Sequence, residues 1–293
     1  MKIFITGGSG FIGRHLLKLL ELGNHNVLCL SHTASIVSSS PTLRTVLGDL
    51  NSPDSYSAEL KRFRPECCVH LAWEGLPDYS IENCSKNFFA GIKLFETLSQ
   101  IGCSKIFALG TCWEYGKNIG AVKEEDQGAE LNIFAAFKAA LQLIGQSSSL
   151  AVGSQFLWGR PFFVYGPGQR SGSLIPSCYR SFKNGALPTI SNPMAANDFI
   201  HVSDVAAAIS GLISADNIET GLYNIGSGQS FAVWEIVNLI AAEMDLPPVY
   251  FDMPDSISGF WADPSKTQKY GWQPELLIQA GIAQTILALE LGQ

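Results

Sequence analysis

Gly7, Gly10 and Gly13 stand three residues apart where the apolar run KIFIT (2–6) gives way to an amphipathic stretch beginning near Phe11. A strand that enters a helix through such a turn brings unpaired N–H groups and the positive end of the helix dipole up to a phosphate. The first glycine permits the tight turn. The second lets backbone approach a pyrophosphate, and the third lets helix and strand pack closely. The chemistry implied is dinucleotide binding. A second chemical position is Lys138, four residues after Phe134. Four residues make about one helical turn, so the two side chains share a face. A lysine there lowers the pKa of a neighbouring acid. Phe134 has no proton to give, and neither has Phe137.

The second apolar run ends Leu30-Ser31-His32-Thr33, without Asp or Glu. An acid at that point binds the adenosine ribose hydroxyls of NAD. Ser31, His32 and Arg14 are instead placed to receive a 2′-phosphate, which favours NADP. Asp49-Leu50, after the third run, is placed to meet the adenine edge.

These residues need a frame, and the pattern supplies one. Apolar runs at 2–6, 26–30, 43–47, 67–71, 105–109 and 155–159 alternate with helical patterns near 11–22, 55–63, 81–101 and 131–150. Strands apolar throughout, alternating with helices, predict an α/β fold: a doubly wound parallel sheet covered on both faces. After Arg160 prolines and glycines punctuate a loop-rich stretch. DFIHV (198–202) and LYNIG (222–226) read as strands around a helix at 203–214, and helices follow at 231–245 and about 277–290. The expected division is a dinucleotide domain, 1–167 plus about 197–226, and a smaller substrate lobe, about 168–196 plus 227–293. SIVSSS (35–40) reads as a short polar loop.

With 293 residues, 46% of them hydrophobic and 15% charged, the chain is long and apolar enough for a sizeable core. Its net charge of −7 argues against nucleic acid or an anionic membrane as partner. No apolar run reaches transmembrane length. The N-terminus enters a strand at once and reads as no signal peptide. Seven scattered cysteines without a Cys-x-x-Cys pair read as free thiols in a reducing cytoplasm. No metal-ligand spacing stands out, so no metal is expected.

Taken jointly, TGGSGFIG, GDL (48–50), HLAW (70–73), GTCWEYG (110–116), Lys138, RPFFVYGPGQ (160–169), DFIHVSDVA (198–206), YNIGSG (223–228) and KTQKYGWQP (266–274) resemble the extended short-chain dehydrogenases/reductases over nearly the whole chain. That family includes NAD(P)-dependent nucleotide-sugar epimerases, dehydratases and 4-ketoreductases. HLAW, GTCWEYG and Phe163 are most similar to the 4-keto-6-deoxyhexose reductase branch. The resemblance implies a Rossmann fold with a C-terminal α/β substrate lobe, and hydride transfer at a sugar carbon, here C4. It implies cofactor contacts from Gly7, Gly10, Phe11, Ile12, Gly13, Ser31, His32, Asp49, Leu50, Leu71, Ala72 and Lys138.

In such enzymes a Tyr-x-x-x-Lys pair and a Ser/Thr perform the proton transfer. Thr111 matches the Ser/Thr, Lys138 matches the lysine, and Phe134 stands in the tyrosine's place. Three substitutes are open. Tyr115 or Glu114 swings in, with Tyr115 the first choice; Thr111 or Cys112 relays through water; or the substrate brings its own acid. Packing under the substrate loop, as in many relatives, is nonetheless the favoured role for Tyr115. Two arginines that relatives often use for the substrate diphosphate are replaced by Asn197 and by the stretch Ser258-Gly259-Phe260-Trp261-Ala262-Asp263. Arg170, Arg180 and Lys183 remain as candidate cations, and Trp73, Trp113 and Trp261 as stacking or packing residues. Tyr165 and His201 match structural positions. In relatives the helices near 81–101 and 131–150 pair across a two-fold axis, and the apolar Phe88, Phe89, Ile92 and Phe95 suit a homodimer, with burial inside the monomer as the alternative. The reading is therefore an NAD(P)-dependent enzyme of nucleotide-linked sugars, set against a cofactor-binding relative with impaired chemistry that serves as sensor or partner subunit.

Overall fold

The structure, a computed structural model, describes residues 1–33, 41–251 and 258–292; the run 35–40 lies outside them. Its first half follows the predicted alternation: β1 (Lys2–Thr6), α1 (Phe11–Leu22), β2 (Asn26–Ser31), β3 (Leu43–Leu47), α2 (Ser57–Phe63), β4 (Cys67–His70), α3 (Ile81–Gln100), β5 (Lys105–Leu109), β6 (Gly120–Val122), α4 (Ile133–Ala151) and β7 (Gln155–Pro161). Then come β8 (Phe163–Tyr165), α5 (Leu174–Lys183), β9 (Ala195–Asn197), β10 (Phe199–His201), α6 (Val202–Ser214), β11 (Gly221–Ile225), β12 (Phe231–Ala232), α7 (Val233–Glu243), β13 (Ser258–Ala262), α8 (Ser265–Gln268) and α9 (Ile278–Glu290).

Seven strands form one parallel sheet in the order β11-β7-β5-β4-β1-β2-β3. Ile3, Phe4 and Ile5 are fully buried because apolar layers cover both faces. Leu16, Leu20, Val205 and Ile209 of α1 and α6 cover one face; Leu94, Leu98 and Leu141 of α3 and α4 cover the other. The chain winds outward from β1 in both directions. The carboxyl ends of β1 and β4 therefore open a crevice where the strand order reverses, the ordinary ligand position in such sheets.

Short strands build a second sheet, β12-β9-β13-β6, backed by α5, α7 and α9. Asp198 fastens this region to the large sheet. Fully buried, it accepts from the Ser227 and Gly228 amides at 2.7 and 2.9 Å and from Ala262 N at 3.1 Å. Three sequence expectations are corrected. Residues 174–183 are a helix rather than loop: Ile175, Cys178, Tyr179 and Phe182 are buried on one face, and Pro176 is tolerated because it lies in the first turn. The predicted helix at 231–245 begins at Val233, because Phe231 and Ala232 pair with β9. β6 falls within the first predicted segment yet pairs with β13 of the small sheet.

Candidate functional site

A cavity of about 580 Å³ runs along the carboxyl ends of the central strands, from the glycine turn to the start of α4 and the loop before α5. Its first part is made of backbone. Gly7 has φ +75°, and a Cβ there would stand 2.7 Å from the Ala72 amide nitrogen. A Cβ at Gly13 would lie 2.0 Å from the Gly7 carbonyl oxygen. No side chain caps the N-terminus of α1, so its first amides remain available to a ligand. Glycines where only glycine fits, facing an uncapped helix start at a strand-order reversal, match the needs of a dinucleotide pyrophosphate. At that reversal the Thr6 hydroxyl meets His70 Nδ1 at 2.7 Å. Burial first, then the charge of Lys138, pushes His70 down to about 3, so the imidazole is neutral.

Next along the cavity lie Ser31, His32, Gly48 and Leu50. The Ser31 hydroxyl donates to Thr33 O at 2.7 Å, and His32 Nε2 pairs with the Glu74 carboxylate. Glu74 also faces Lys86 Nζ at 3.5 Å. Asp49 does not line the cavity itself, but one atom each from His32, Asp49 and Glu74 lie within 4.8 Å of one another. Asp49 is held by the Asn51 amide at 2.8 Å and its side chain at 3.0 Å. These three are the described residues whose placement would suit a cation, and existing hydrogen bonds already engage them. Arg14 is turned away, its Nε 3.4 Å from the Gly10 carbonyl.

The far part of the cavity is made of side chains. Asn132 caps α4 by accepting from Ala135 N at 2.9 Å, and this sets Phe134 and Lys138 facing the cavity. Lys138 Nζ donates to Leu109 O at 2.7 Å and lies 4.2 Å from the Trp73 ring centroid. Burial pushes the amine down to about 7, partly offset by the charge of Glu114. The Trp73 face favours the ammonium as well. Thr111 caps the short helical turn Cys112–Tyr115: its oxygen accepts from Trp113 N at 3.3 Å, and its own amide donates to Glu114 at 2.8 Å. Thr111 itself lines the cavity. Phe134 is packed edge-on against Trp73 at 5.3 Å and Trp113 at 5.9 Å. Tyr79 completes the wall, 5.2 Å from Phe134 and 5.4 Å from Trp113.

The structure thus gathers around one cavity Gly7, Gly10, Phe11, Ile12, Gly13, Ser31, His32, Leu50, Leu71, Ala72, Trp73, Thr111, Phe134, Lys138 and Arg170. Besides Arg14 and Asp49, five expected positions lie elsewhere. Tyr115 is fully buried and donates its hydroxyl to Asn224 Oδ1 at 2.6 Å, so it cannot swing in as a substitute acid. Glu114 is locked beneath it, accepting from Arg160 Nε at 2.9 Å and Trp158 Nε1 at 3.1 Å. Arg180 is exposed on α5, away from the cavity, and Trp261 also lies off it. Lys183 Nζ, on the same helix, bonds the Tyr179 hydroxyl at 3.1 Å. Glu74 and Tyr79 were not legible as site residues. Both lie in the link between β4 and α3, which Asn83 Nδ2 ties down by donating to Glu74 O at 3.0 Å and Asp78 O at 2.8 Å. The signal available was Ser80, an N-cap that places Tyr79 just ahead of α3.

Comparison with known proteins agrees with this geometry. The sequence model of the NAD dependent epimerase/dehydratase family matches residues 3–226. A dTDP-4-dehydro-6-deoxyglucose reductase of Escherichia coli is 25% identical, covering 98% of this chain and 97% of its own. A GDP-6-deoxy-D-talose 4-dehydrogenase of Aggregatibacter actinomycetemcomitans is 28% identical, covering 91% and 90%. The solved structure of MoeE5 in complex with UDP-glucuronic acid and NAD superposes with a TM-score of 0.87 at 25% identity, covering 100% of both chains.

Proposed function

The chain belongs to the NAD dependent epimerase/dehydratase family, and from that premise we propose that it is a nicotinamide-dependent oxidoreductase or epimerase of nucleotide-linked sugars, working by hydride transfer at C4. The observation that carries this reading is the single cavity joining the glycine turn to Thr111 and Lys138. A nicotinamide dinucleotide, when bound, supplies or accepts the hydride. The chain's own residues do the rest. The glycine turn and the start of α1 hold the pyrophosphate. Lys138 offers its amine to a ribose hydroxyl, and its charge stabilises negative charge that develops nearby. The Thr111 hydroxyl donates to the reacting oxygen. Trp73, Trp113 and Phe134 exclude water from the reacting carbon, which strengthens each of these contacts. Arg170, at the rim beside Ser173, is the cation best placed for the substrate diphosphate.

The cofactor proposed is NAD. The acid missing from the end of β2 favours NADP, but Glu74 brings a carboxylate to that place from beyond β4 and already engages His32. A carboxylate accepts from the adenosine ribose hydroxyls and repels a 2′-phosphate. A lobe formed by 168–196 and 227–293 is proposed to cover the sugar. A homodimer through α3 and α4 fits the 59% and 62% exposure of Phe89 and Leu143 on those helices; within the expected patch Phe95 is instead core. Seven buried free thiols suit a reducing cytoplasm, and among the described residues no helix is long and apolar enough to cross a membrane.

The test is to follow absorbance at ~340 nm, where reduced nicotinamide absorbs, with UDP-, GDP- and dTDP-linked sugars and their 4-keto forms. Turnover of at least one nucleotide sugar, with NAD(H) preferred over NADP(H), is expected. Failure to bind any nicotinamide dinucleotide would refute the reading.

A further inference from the structure

We propose that Tyr79 carries the proton that Phe134 cannot, as the general acid and base of the reaction proposed above, and the inference rests on that reading. Of eight tyrosines in the chain, Tyr79 is the only one lining the cavity among the described residues. Tyr56, Tyr115, Tyr165, Tyr179 and Tyr223 are buried elsewhere. Tyr79 lies 5.2 Å from the Phe134 ring and 5.4 Å from Trp113, centroid to centroid. It therefore packs directly on the residue it would replace, and Thr111 lines the same cavity. Lys138 Nζ is 5.8 Å from the centroid of the same Phe134 ring. Phe134 thus has the only cavity phenol as one neighbour and the buried amine as another.

The phenol is both held and free to act. Ser80 caps α3 by accepting from Asn83 N at 3.2 Å, Asp78 accepts from Ser80 N at 2.9 Å, and Asn83 grips Asp78 O. These bonds fix the backbone on both sides of Tyr79. Its hydroxyl makes no hydrogen bond among the described residues. Each buried tyrosine that does donate, such as Tyr115 to Asn224 or Tyr223 to Glu219 O, is committed to structure. Tyr79 is half-buried and lines the cavity.

The step balances as follows. In the reducing direction the Tyr79 O–H bond breaks and an O–H bond forms at the substrate carbonyl oxygen. The carbonyl carbon gains the hydride, with its two electrons, from a reduced nicotinamide. The ketone becomes an alcohol, and the tyrosinate regains a proton from water. Oxidation runs the same path backwards.

Four proteins test the inference: wild type, Tyr79→Phe, Phe134→Tyr and the double variant. Turnover of a 4-keto nucleotide sugar is read at about 340 nm, NADH affinity by nicotinamide fluorescence, and sugar affinity without cofactor by tryptophan fluorescence. Tyr79→Phe is expected to lower kcat about 10²–10⁴-fold, the usual range for a lost general acid. KM, NADH affinity and cofactor-free sugar affinity should stay within about threefold, since only one hydroxyl is lost. Adding Phe134→Tyr to Tyr79→Phe should restore kcat at least tenfold, which a merely structural Tyr79 would not allow. A Tyr79→Phe kcat within about threefold of wild type overturns the inference while leaving the functional reading in place. So does a silent wild type beside an active Phe134→Tyr. If all four bind NADH and none turns over any sugar, the functional reading fails and takes the inference with it.

Discussion

At the glycine end of the cavity the ligand-facing surface is backbone: Gly7 against Ala72, Gly13 against Gly7, and the bare start of α1. At the aromatic end it is side chain: Trp73, Tyr79, Trp113, Phe134 and Lys138. The first surface tolerates no substitution, because a single Cβ collides with main chain that has nowhere to go. The second is built around a phenyl ring that stands beside the Asn132 cap of α4 and the Lys138–Leu109 bond. A cofactor cradle made of backbone is thus kept or lost whole, whereas a proton-transfer group made of one side chain can move to a neighbouring element.

Substitutions at the two ends should separate along that line. The largest effect is expected from Gly13→Val. Its Cβ would stand 2.0 Å from the Gly7 oxygen. Overpacking of this kind costs about 1–3 kcal/mol or more of stability, and calorimetric titration should detect no nicotinamide binding.

At the aromatic end, Lys138→Met should lower kcat by about 10²–10³-fold, the loss typical of one charge-stabilising donor. It should also change how stability depends on pH. The buried amine titrates near 7 against 10.5 when free. From about pH 7 upward the unfolded chain therefore holds a proton that the folded chain has lost, and stability rises with pH. Above 9.0, the ordinary thiol value, buried cysteines such as Cys29, held up near 12, turn the slope downward. Denaturant melts between pH 7 and 9 should show the rise in wild type and its loss in Lys138→Met.

A smaller effect belongs to the adenosine end. Glu74→Gln removes a charged acceptor of ribose hydroxyls, a contact of about 1.5–3 kcal/mol. NAD affinity should fall by about 10–100-fold, while NADP affinity holds or improves. Equal losses for both cofactors would show that Glu74 acts through the loop rather than on the ribose.

The smallest effect on turnover should come from Tyr115→Phe. The lost hydrogen bond to Asn224 leaves a buried carbonyl unpaired, which costs about 1–3 kcal/mol of stability, yet kcat should be unchanged. A collapse of kcat in that variant would return Tyr115 to the active site.

The backbone end was legible in the sequence because glycine spacing and strand–helix alternation are local signals. Thr111, Lys138 and the substitution at Phe134 were legible for the same reason, each being a position within one element. Glu74 and Tyr79 were not, because their places in the cavity wall depend on how the link from β4 folds back onto α3, which Asn83 ties down through Glu74 O and Asp78 O. Tyr115 was a candidate acid because it follows Thr111 closely in sequence, although packing was the favoured role. The tight turn at 112–115 rotates it into the interior, where its partner Asn224 comes from β11. The small sheet escaped notice because β6, β9 and β12 are three residues or fewer, too short for a period-two pattern to show.

The central claim is that the cofactor site and the proton machinery both work with a phenylalanine at position 134. Its most direct test is the initial rate of NADH oxidation by the wild-type protein with a 4-keto nucleotide sugar, measured beside Phe134→Tyr. The account predicts wild-type turnover equal to or above that of Phe134→Tyr. NADH that binds and stays reduced in wild type, but is oxidised by Phe134→Tyr, would contradict it.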